Sequence, residues 1–494
     1  MSTAVADDKA ATEQLALKGY LYGQLANVFK IAIWWSGSSP VVIALLQNTS
    51  AIAAARVAFN GVMLLLSPIA GVVVERGDPK RLLIVTTILR FFVWSVGIPL
   101  CWYVFDYTID SFMALYVGVV VLFALDGGAT AFANVLDMDM GGLGVVAASR
   151  NIEIDESVMN DYNSQCEIGL SMSFIFIAPA MAFIGSLVKE HAISGDMSAS
   201  TSEAGALVII FMAGFFVFSA TSIFFYSWIP AKPTGNVQEA SADSTVAEKL
   251  SSYFSSLKSA YAIILAHRPI FWRMFFFALE MAIEDAFMVV VVPQYAYHAH
   301  WLGGGNAVAT NIWSSLIIAS GKVGAFVAAY LMMSRWSPPT SPQGYLKLFW
   351  FVLLGSIFMG LLPVSYYVGD VYHAHFIATA LMIVCSVGFF AFSTVPKLGF
   401  MTLFQSMVAK VDASGTVFAW LTVCVLITDA MVIVILSLVG QFLPLFPTLC
   451  LTASLYICHG IIECFIGPSL VLKGEYFEGS DNMVEPLLSE NSSA

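Results

Sequence analysis

Charged side chains are scarce in this sequence. They make up 11% of its 494 residues, whereas a soluble globular domain carries roughly 25%. Hydrophobic residues account for 59% of the chain, and the mean hydropathy is +0.83. This composition excludes an ordinary soluble domain and predicts a protein of the lipid bilayer.

Motifs for several other functions are also missing. The seven cysteines include no CxxC spacing, so neither a disulfide framework nor a structural zinc site is expected. No basic cluster predicts nucleic-acid binding, and no phosphate-binding loop predicts ATP hydrolysis. We find no nucleophile–base arrangement and predict no enzymatic activity and no cofactor. The first 18 residues lack the regions of a signal peptide, so the first apolar run is expected to be retained.

Twelve apolar runs are present, and each is long enough for a membrane crossing, which needs about 20 residues. They must be helical, because lipid offers no partners to open backbone groups. The sequence therefore predicts an all-α membrane protein with twelve transmembrane helices in two six-helix halves. The predicted runs are 20–46, 51–74, 82–105, 112–135, 166–188, 204–229, 269–294, 306–333, 345–368, 374–396, 414–442 and 446–471.

These runs predict the domain boundaries and the orientation. Most of the 21 lysines and arginines fall on the N-terminal side of the membrane. By the positive-inside rule, both termini are then cytosolic. The predicted regions are an N-terminal tail (1–19), a six-helix half (20–229), a cytosolic central loop (230–268), a second six-helix half (269–471) and a C-terminal tail (472–494).

A short charged turn between the second and third runs carries the most specific signal. It reads Gly71-Val-Val-Val-Glu-Arg-Gly-Asp-Pro-Lys-Arg81. This segment resembles the signature loop between helices 2 and 3 of the major facilitator superfamily of solute transporters. It departs from that pattern in having Glu75 for the usual Asp and one extra residue with Pro79. The resemblance implies two halves that rock around a central cavity, with a cytosolic gate latched by Gly71, Glu75, Arg76, Lys80 and Arg81.

Ionisable side chains inside membrane spans are costly and therefore predict function. The densest group lies on span 7, where Glu280 and Glu284 share a helix face and Asp285 points elsewhere. Two carboxylates on one face favour proton uptake by one of them, which predicts proton or cation coupling. The alternatives are a structural ion pair with Lys322 of span 8 or another basic residue, and a helix end exposed to water.

Four more charges lie within other spans. Lys30 in span 1 either faces the Glu280/Glu284 pair across a cavity or extends to the surface. Arg90 in span 3 and Asp126 in span 4 are candidate partners, and Asp126 precedes Gly127-Gly128, where helices can approach closely. Asp429 in span 11 is a further candidate for substrate or proton binding.

Histidines supply the candidate metal ligands. His459 and Glu463 share a face of span 12, where they form either a metal site or a buried hydrogen-bonded pair. Two similar segments, Tyr297-His-Ala-His300 and Tyr372-His-Ala-His375, end spans 7 and 10 on the outer side. His298, His300, His373 and His375 either bind a metal, sense pH, or belong to an interfacial aromatic belt.

The leading hypothesis is a proton-coupled secondary active transporter of a small solute or ion, expected to be monomeric. One alternative is a divalent metal permease of the iron-transporter type, and another is a receptor or scaffold with a transporter fold that moves no solute. The acidic tail contains Glu485-Pro-Leu-Leu488, similar to a dileucine sorting signal. The plasma membrane and a lysosome- or vacuole-like membrane are the two expected locations.

Overall fold

The computed structural model describes most of the chain except its central loop and C-terminal tail. The described residues are 2–46, 49–104, 111–137, 142–194 without 151 and 153, 197–230, 268–302, 307–334, 342–408 and 414–472, with short pieces between 254 and 265. The predicted loop at 230–268 and the tail signal at 485–488 fall almost entirely outside them.

All the long elements formed by the described residues are helices, and these residues include no strand. Before the central loop these are α1 (Ser2–Leu46), α2 (Thr49–Arg76), α3 (Pro79–Phe91), α4 (Ile98–Trp102), α5 (Phe112–Val135), α6 (Gly142–Ala148), α7 (Glu156–Ser194) and α8 (Met197–Tyr226). After it follow α9 (Arg268–Ala286), α10 (Val292–His298), α11 (Ala307–Ser334), α12 (Pro342–Val371), α13 (His375–Val408), α14 (Ser414–Phe442) and α15 (Leu445–Leu472).

Two spans contain a π-helical segment at a similar depth. Phe92–Gly97 joins α3 to α4, and Phe287–Val291 joins α9 to α10. Each segment is followed within two residues by a proline, Pro99 or Pro293. Proline has no N–H to donate, so the regular hydrogen-bond ladder is interrupted there and a wider turn is accommodated. The second segment begins two residues after Asp285.

Ten helical segments in the described part of the chain are long and apolar enough to cross a membrane. Predicted span 7 is not among these ten, because its helix α9 carries several charged residues, including Arg273, Glu280, Glu284 and Asp285. The remaining predicted span lies within α1, which continues from the predicted tail without a break. With these two, the helices correspond to the twelve predicted spans.

Several helices are longer than predicted, α7 and α13 among them. The stretch between the predicted spans 112–135 and 166–188 contains α6, and α7 already begins at Glu156. Likewise α13 continues to Val408, beyond the predicted end at residue 396. The extension of α13 places Lys397 inside a helix rather than in a loop, and the extension of α7 adds helical turns before Glu167.

The helices form an N-terminal set (α1–α8) and a C-terminal set (α9–α15). Within the first set α2 packs on α5, and α1 packs on α7 and α8. Within the second, α12 packs on α13 and α15, and α11 on α13. The two sets meet mainly where α7 lies along α11 and α2 lies along α14. The faces along these two seams are where residues from both sets meet.

Helices α2 and α5 approach closely at Gly127. A Cβ atom added there would overlap the backbone carbonyl of Phe59, whereas one at Gly128 would meet only the side chain of Leu66 at 3.4 Å and that of Val62 at 3.5 Å. Small residues permit such close backbone contact between membrane helices. Gly127 therefore positions its neighbour Asp126 against α2 and α3.

We predict that Gly127→Ala lowers stability far more than Gly128→Ala. Overpacking at a backbone contact costs about 1–3 kcal/mol, because neither Phe59 nor α5 can move aside without separating the helices. Thermal unfolding in detergent measures the difference, and Gly128→Ala is the matched control. Equal melting temperatures for the two variants would contradict the close approach.

Candidate functional site

A chain of buried ion pairs connects four helices. The Lys322 ammonium lies 2.7 Å from Oε1 of Glu284. Lys397 lies 4.0 Å from the other Glu284 oxygen and 3.6 Å from Oε2 of Glu167. Glu167 belongs to α7 of the N-terminal set, whereas the other three residues belong to α9, α11 and α13. The chain thus alternates in sign and crosses from one set of helices to the other.

A second group of charges lies next to the first on the same face of α9. Nη1 of Arg273 is 2.6 Å from Oε1 of Glu463, and its Nη2 is 3.7 Å from Oε2 of Glu280. His459 lies one turn from Glu463 on α15, with Nε2 3.4 Å from Oε2 of that carboxylate. The Arg273 guanidinium also lies over the Phe400 ring, 4.5 Å from its centroid. One guanidinium therefore serves two carboxylates.

All of these side chains are removed from solvent, with exposed fractions between 1% and 7%. In such surroundings an unbalanced charge is strongly disfavoured. The first group balances, since two lysines face two glutamates. In the second group, two ionised carboxylates would exceed the single guanidinium by one negative charge. One bound proton would restore neutrality there.

Asp285 and Asp429 form an acidic pair at the α9–α14 contact. The two carboxylates lie on contacting helices within electrostatic range of each other, and Oδ1 of Asp429 has no hydrogen-bond partner within the described part of the chain. Both side chains are partly buried. Two like charges at one helix contact repel, so this pair is a second place where protonation relieves an electrostatic cost.

The charges of the N-terminal set form their own group. Arg90 Nε donates to Asp126 at 2.7 Å, and both side chains are buried. Lys30 is 1% exposed, so it does not extend to the surface. Arg90, Asp126 and Asp137 lie within electrostatic range of its ammonium group. The structure therefore places Lys30 beside the Arg90–Asp126 pair and does not bring it to Glu280 and Glu284.

The turn between α2 and α3 is held by Asp78. Its carboxylate accepts from the Lys80 backbone N–H at 3.1 Å, which caps α3, and lies 2.6 Å from Nη2 of Arg150. Lys80 donates from Nζ to the Ser227 carbonyl at 2.9 Å. Arg76 and Arg81 are exposed, and the side chain of Glu75 lies outside the described residues. The acid that anchors this turn is thus Asp78, within the extra stretch of the motif.

The two sets of helices touch at the end of the bundle that carries this turn, which we call the loop end. A Cβ atom added to Gly71 of α2 would lie 2.6 Å from Ala419 Cβ and 2.8 Å from Thr416 Cα of α14. On the other seam, Asn163 of α7 donates to Thr402 at 3.2 Å and to Gln405 at 2.9 Å. With Glu167–Lys397, these contacts close the loop end.

The histidines separate into two groups. His300, His373 and His375 lie together, with nitrogen atoms within 4.8 Å of one another, and His298 is not part of that cluster. His459 and Glu463 are neighbours, but Arg273 lies against the same carboxylate. A guanidinium at that distance repels a cation, so this pair fits a buried ionic group around Arg273 better than a metal site.

Sequence reasoning missed three members of the buried groups, namely Arg273, Glu167 and Lys397. Each lies near the end of a predicted apolar run, where a charged side chain usually reaches water. Arg273 precedes Glu280 by seven residues, which is two helical turns on the same face. That spacing was the available signal for the pairing.

The structure is similar to solved transporters along nearly its whole length. A bacterial homologue of the iron transporter ferroportin in its outward-facing state has a TM-score of 0.59 at 14% identity, with 93% of this chain and 99% of that chain covered. The proton:xylose symporter bound to 6-bromo-6-deoxy-D-glucose has a TM-score of 0.61 at 13% identity, covering 94% and 96%. For the E. coli fucose:proton symporter the values are 0.57, 14%, 91% and 98%.

The fold is therefore that of the major facilitator superfamily, a class of all-helical, multi-pass membrane proteins. No protein-family model and no curated protein matches the sequence. At these identities the similarity establishes the architecture, as the Gly71–Arg81 segment predicted. Any functional assignment has to come from this chain's own residues.

We predict that the Arg90–Asp126 pair is structural. Asp126→Asn leaves a buried guanidinium without its counter-ion, a loss of about 3–5 kcal/mol. Arg90→Met combined with Asp126→Leu removes both charges and should cost less than the sum of the two single substitutions. A double-mutant cycle on thermal unfolding measures the coupling. Additive single and double effects would show that the pair contributes nothing.

Proposed function

We propose that this chain is a secondary active transporter of a small solute that works by alternating access. The observation that carries the proposal is the buried ion chain from Lys322 to Glu167, which joins the two helix sets at the loop end. Such a bridge can form only while that end is closed. Its strength therefore depends on conformation, as a transport cycle requires.

The proposed proton site is Glu280 together with Glu463 and His459 around Arg273. The excess of one carboxylate gives this group a place for one proton. When the loop end opens, water reaches Arg273, and the proton affinity of the group around it changes. Glu284 is less suited to this role, because Lys322 and Lys397 already neutralise its charge. The Asp285–Asp429 pair is a second candidate for the same step.

The proposed gate is the α2–α3 turn and the seams next to it. If the termini are cytosolic, the loop end is cytosolic and the structure represents an outward-facing state. Asp78, Arg150 and Lys80 then hold the turn against α8 and the segment after α6. Gly71 allows α2 to meet α14 without a gap. Lys30 is proposed to contact substrate from the N-terminal set.

Metal transport and a receptor role are the alternatives. The printed name of the ferroportin homologue concerns iron, but Arg273 beside Glu463 argues against a divalent cation in the central charge group. A receptor or scaffold would have no use for an ion bridge that must break. A flux panel in reconstituted vesicles with sugars, nucleosides, amino acids, organic anions, Fe²⁺ and Mn²⁺ separates the three functions.

We predict that Glu280→Gln abolishes solute uptake driven by a pH gradient while counterflow exchange continues. The amide keeps the shape of the side chain but cannot gain or lose a proton, so the solute step survives without its coupling. Uptake into proteoliposomes, with the solute identified by the panel, measures both rates. Asp370→Asn, which removes an exposed acid at the end of α12, is the matched control.

The result that would reject this assignment is specific. If Glu280→Gln keeps pH-driven uptake at the rate of the unchanged protein, the proton site is elsewhere. Asp285→Asn and Asp429→Asn in the same assay then test the second pair. Loss of both uptake and counterflow in Glu280→Gln would place Glu280 in solute binding instead.

We predict that Gly71→Ala shifts the protein toward a state open at the loop end. The added methyl group cannot fit against Ala419 and Thr416 while α2 and α14 are in contact. Spin labels at Ser227→Cys and Ser334→Cys, with the native cysteines substituted, report the distance between the sets by pulsed electron resonance. The expected result is a larger population at long distance.

Gly61→Ala on the same helix is the control for this experiment. A Cβ atom at Gly61 meets nothing within 4 Å, so its distance distribution should equal that of the unchanged protein. An unchanged distribution in Gly71→Ala would show that the α2–α14 contact does not hold the loop end closed.

A further inference from the structure

Three exposed histidines converge at the end of the bundle opposite the loop end. His300 lies in the connection between α10 and α11, whereas His373 and His375 lie where α12 turns into α13. One ring nitrogen from each lies within 4.8 Å of the other two. The ring centroids of His300 and His375 are 5.2 Å apart, and those of His373 and His375 are 6.1 Å apart. Residues distant in sequence thus present three imidazoles to one point.

The positions of these imidazoles are supported by neighbouring structure. His375 stacks on Trp301 with ring centroids 5.5 Å apart and an angle of 7° between the planes. Trp301 also contacts Tyr295 and Tyr366, which belong to α10 and α12. His373 has a φ of 50°, a left-handed conformation that is rare for a residue with a side chain. The tight turn is therefore built with histidine at a position where glycine or asparagine fits more easily.

Three neutral imidazoles are a characteristic ligand set for a borderline divalent transition metal. Zn²⁺ binds imidazole nitrogen at about 2.0–2.1 Å and accepts three histidines with a water as the fourth ligand. Tetrahedral geometry then separates the nitrogens by roughly 3.3 Å. Exposed side chains can close the remaining distance by rotating about their χ angles. Hard cations such as Mg²⁺ and Ca²⁺ prefer oxygen and do not fit this set.

We propose that His300, His373 and His375 form a binding site for a divalent transition-metal ion of the Zn²⁺ class. The ion would join the α10–α11 connection to the α12–α13 turn, and both belong to the C-terminal set. The site lies apart from the buried charge groups, so the proposal stands whether or not the chain transports protons or solutes. It fits a structural or regulatory ion at the rim of the bundle.

The test uses the full chain, purified without a polyhistidine tag in detergent at pH 7.5. Titration calorimetry with Zn²⁺ in a competing chelator should show one equivalent bound with a Kd on the order of micromolar or tighter. Co²⁺ in place of Zn²⁺ should give the strong visible absorption of a tetrahedral site. His300→Gln, His375→Gln and His373→Asn should each weaken Zn²⁺ binding by about 100-fold. Asparagine is chosen at position 373 because it tolerates a positive φ.

His298→Gln is the matched control, since His298 is exposed, lies next to the cluster and is not part of it. It should bind Zn²⁺ as the unchanged protein does. The cluster residues are on the surface, so the metal-free variants should keep the melting temperature of the unchanged protein, which separates loss of the site from loss of the fold. The proposal is overturned if no stoichiometric Zn²⁺ binds, or if binding persists unchanged in His300→Gln and His375→Gln.

Discussion

Charge buried among apolar helices must be balanced by opposite charge, and much of the structure follows from this requirement. The chain keeps few charged residues, and those inside its spans are grouped rather than scattered. Arg90 faces Asp126, Lys322 faces Glu284, and Arg273 faces Glu463. Helices that carry these residues have to meet at defined positions and rotations, because a misplaced partner leaves an ion without compensation at a cost of several kcal/mol.

The Arg90–Asp126 pair and the ion chain from Lys322 to Glu167 differ in how they constrain the relative position of the two helix sets. Arg90–Asp126 lies within one set of helices and would stay intact if the sets moved relative to each other. Lys397 instead links Glu284 to Glu167 across the seam between α7 and the C-terminal helices. The Lys397–Glu167 ion pair can form only when the two sets are in a suitable relative position. The free-energy cost of separating buried ions therefore stabilises the fold and also favours the conformation in which Lys397 and Glu167 are paired.

The distance between packed helices is the second constraint. Glycine permits a short distance at two places, one within a set of helices and one between the two sets. Gly127 brings α2 and α5 together inside one set, which is a requirement of folding. Gly71 brings α2 and α14 together between the sets, at the same end as the polar contacts of Asn163 with Thr402 and Gln405. That end is closed by close backbone approach and hydrogen bonds together with a buried apolar cluster that contains side chains from both sets, including Tyr20, Phe404 and Phe418.

Composition and one motif were enough to predict a helical membrane protein with the layout of the major facilitator fold, because lipid demands long apolar helices and Gly71–Arg81 resembles a recognisable turn. They also indicated Glu284 with Lys322, and Arg90 with Asp126, as alternatives among others. Which charges pair depends on how the helices pack in three dimensions. Arg273, Glu167 and Lys397 lie near the ends of apolar runs, where a charge usually reaches water, and they are buried here because α7 and α13 extend further and pack on other helices. A side chain's neighbours across a helix seam depend on rotation and register, and local sequence does not contain that information.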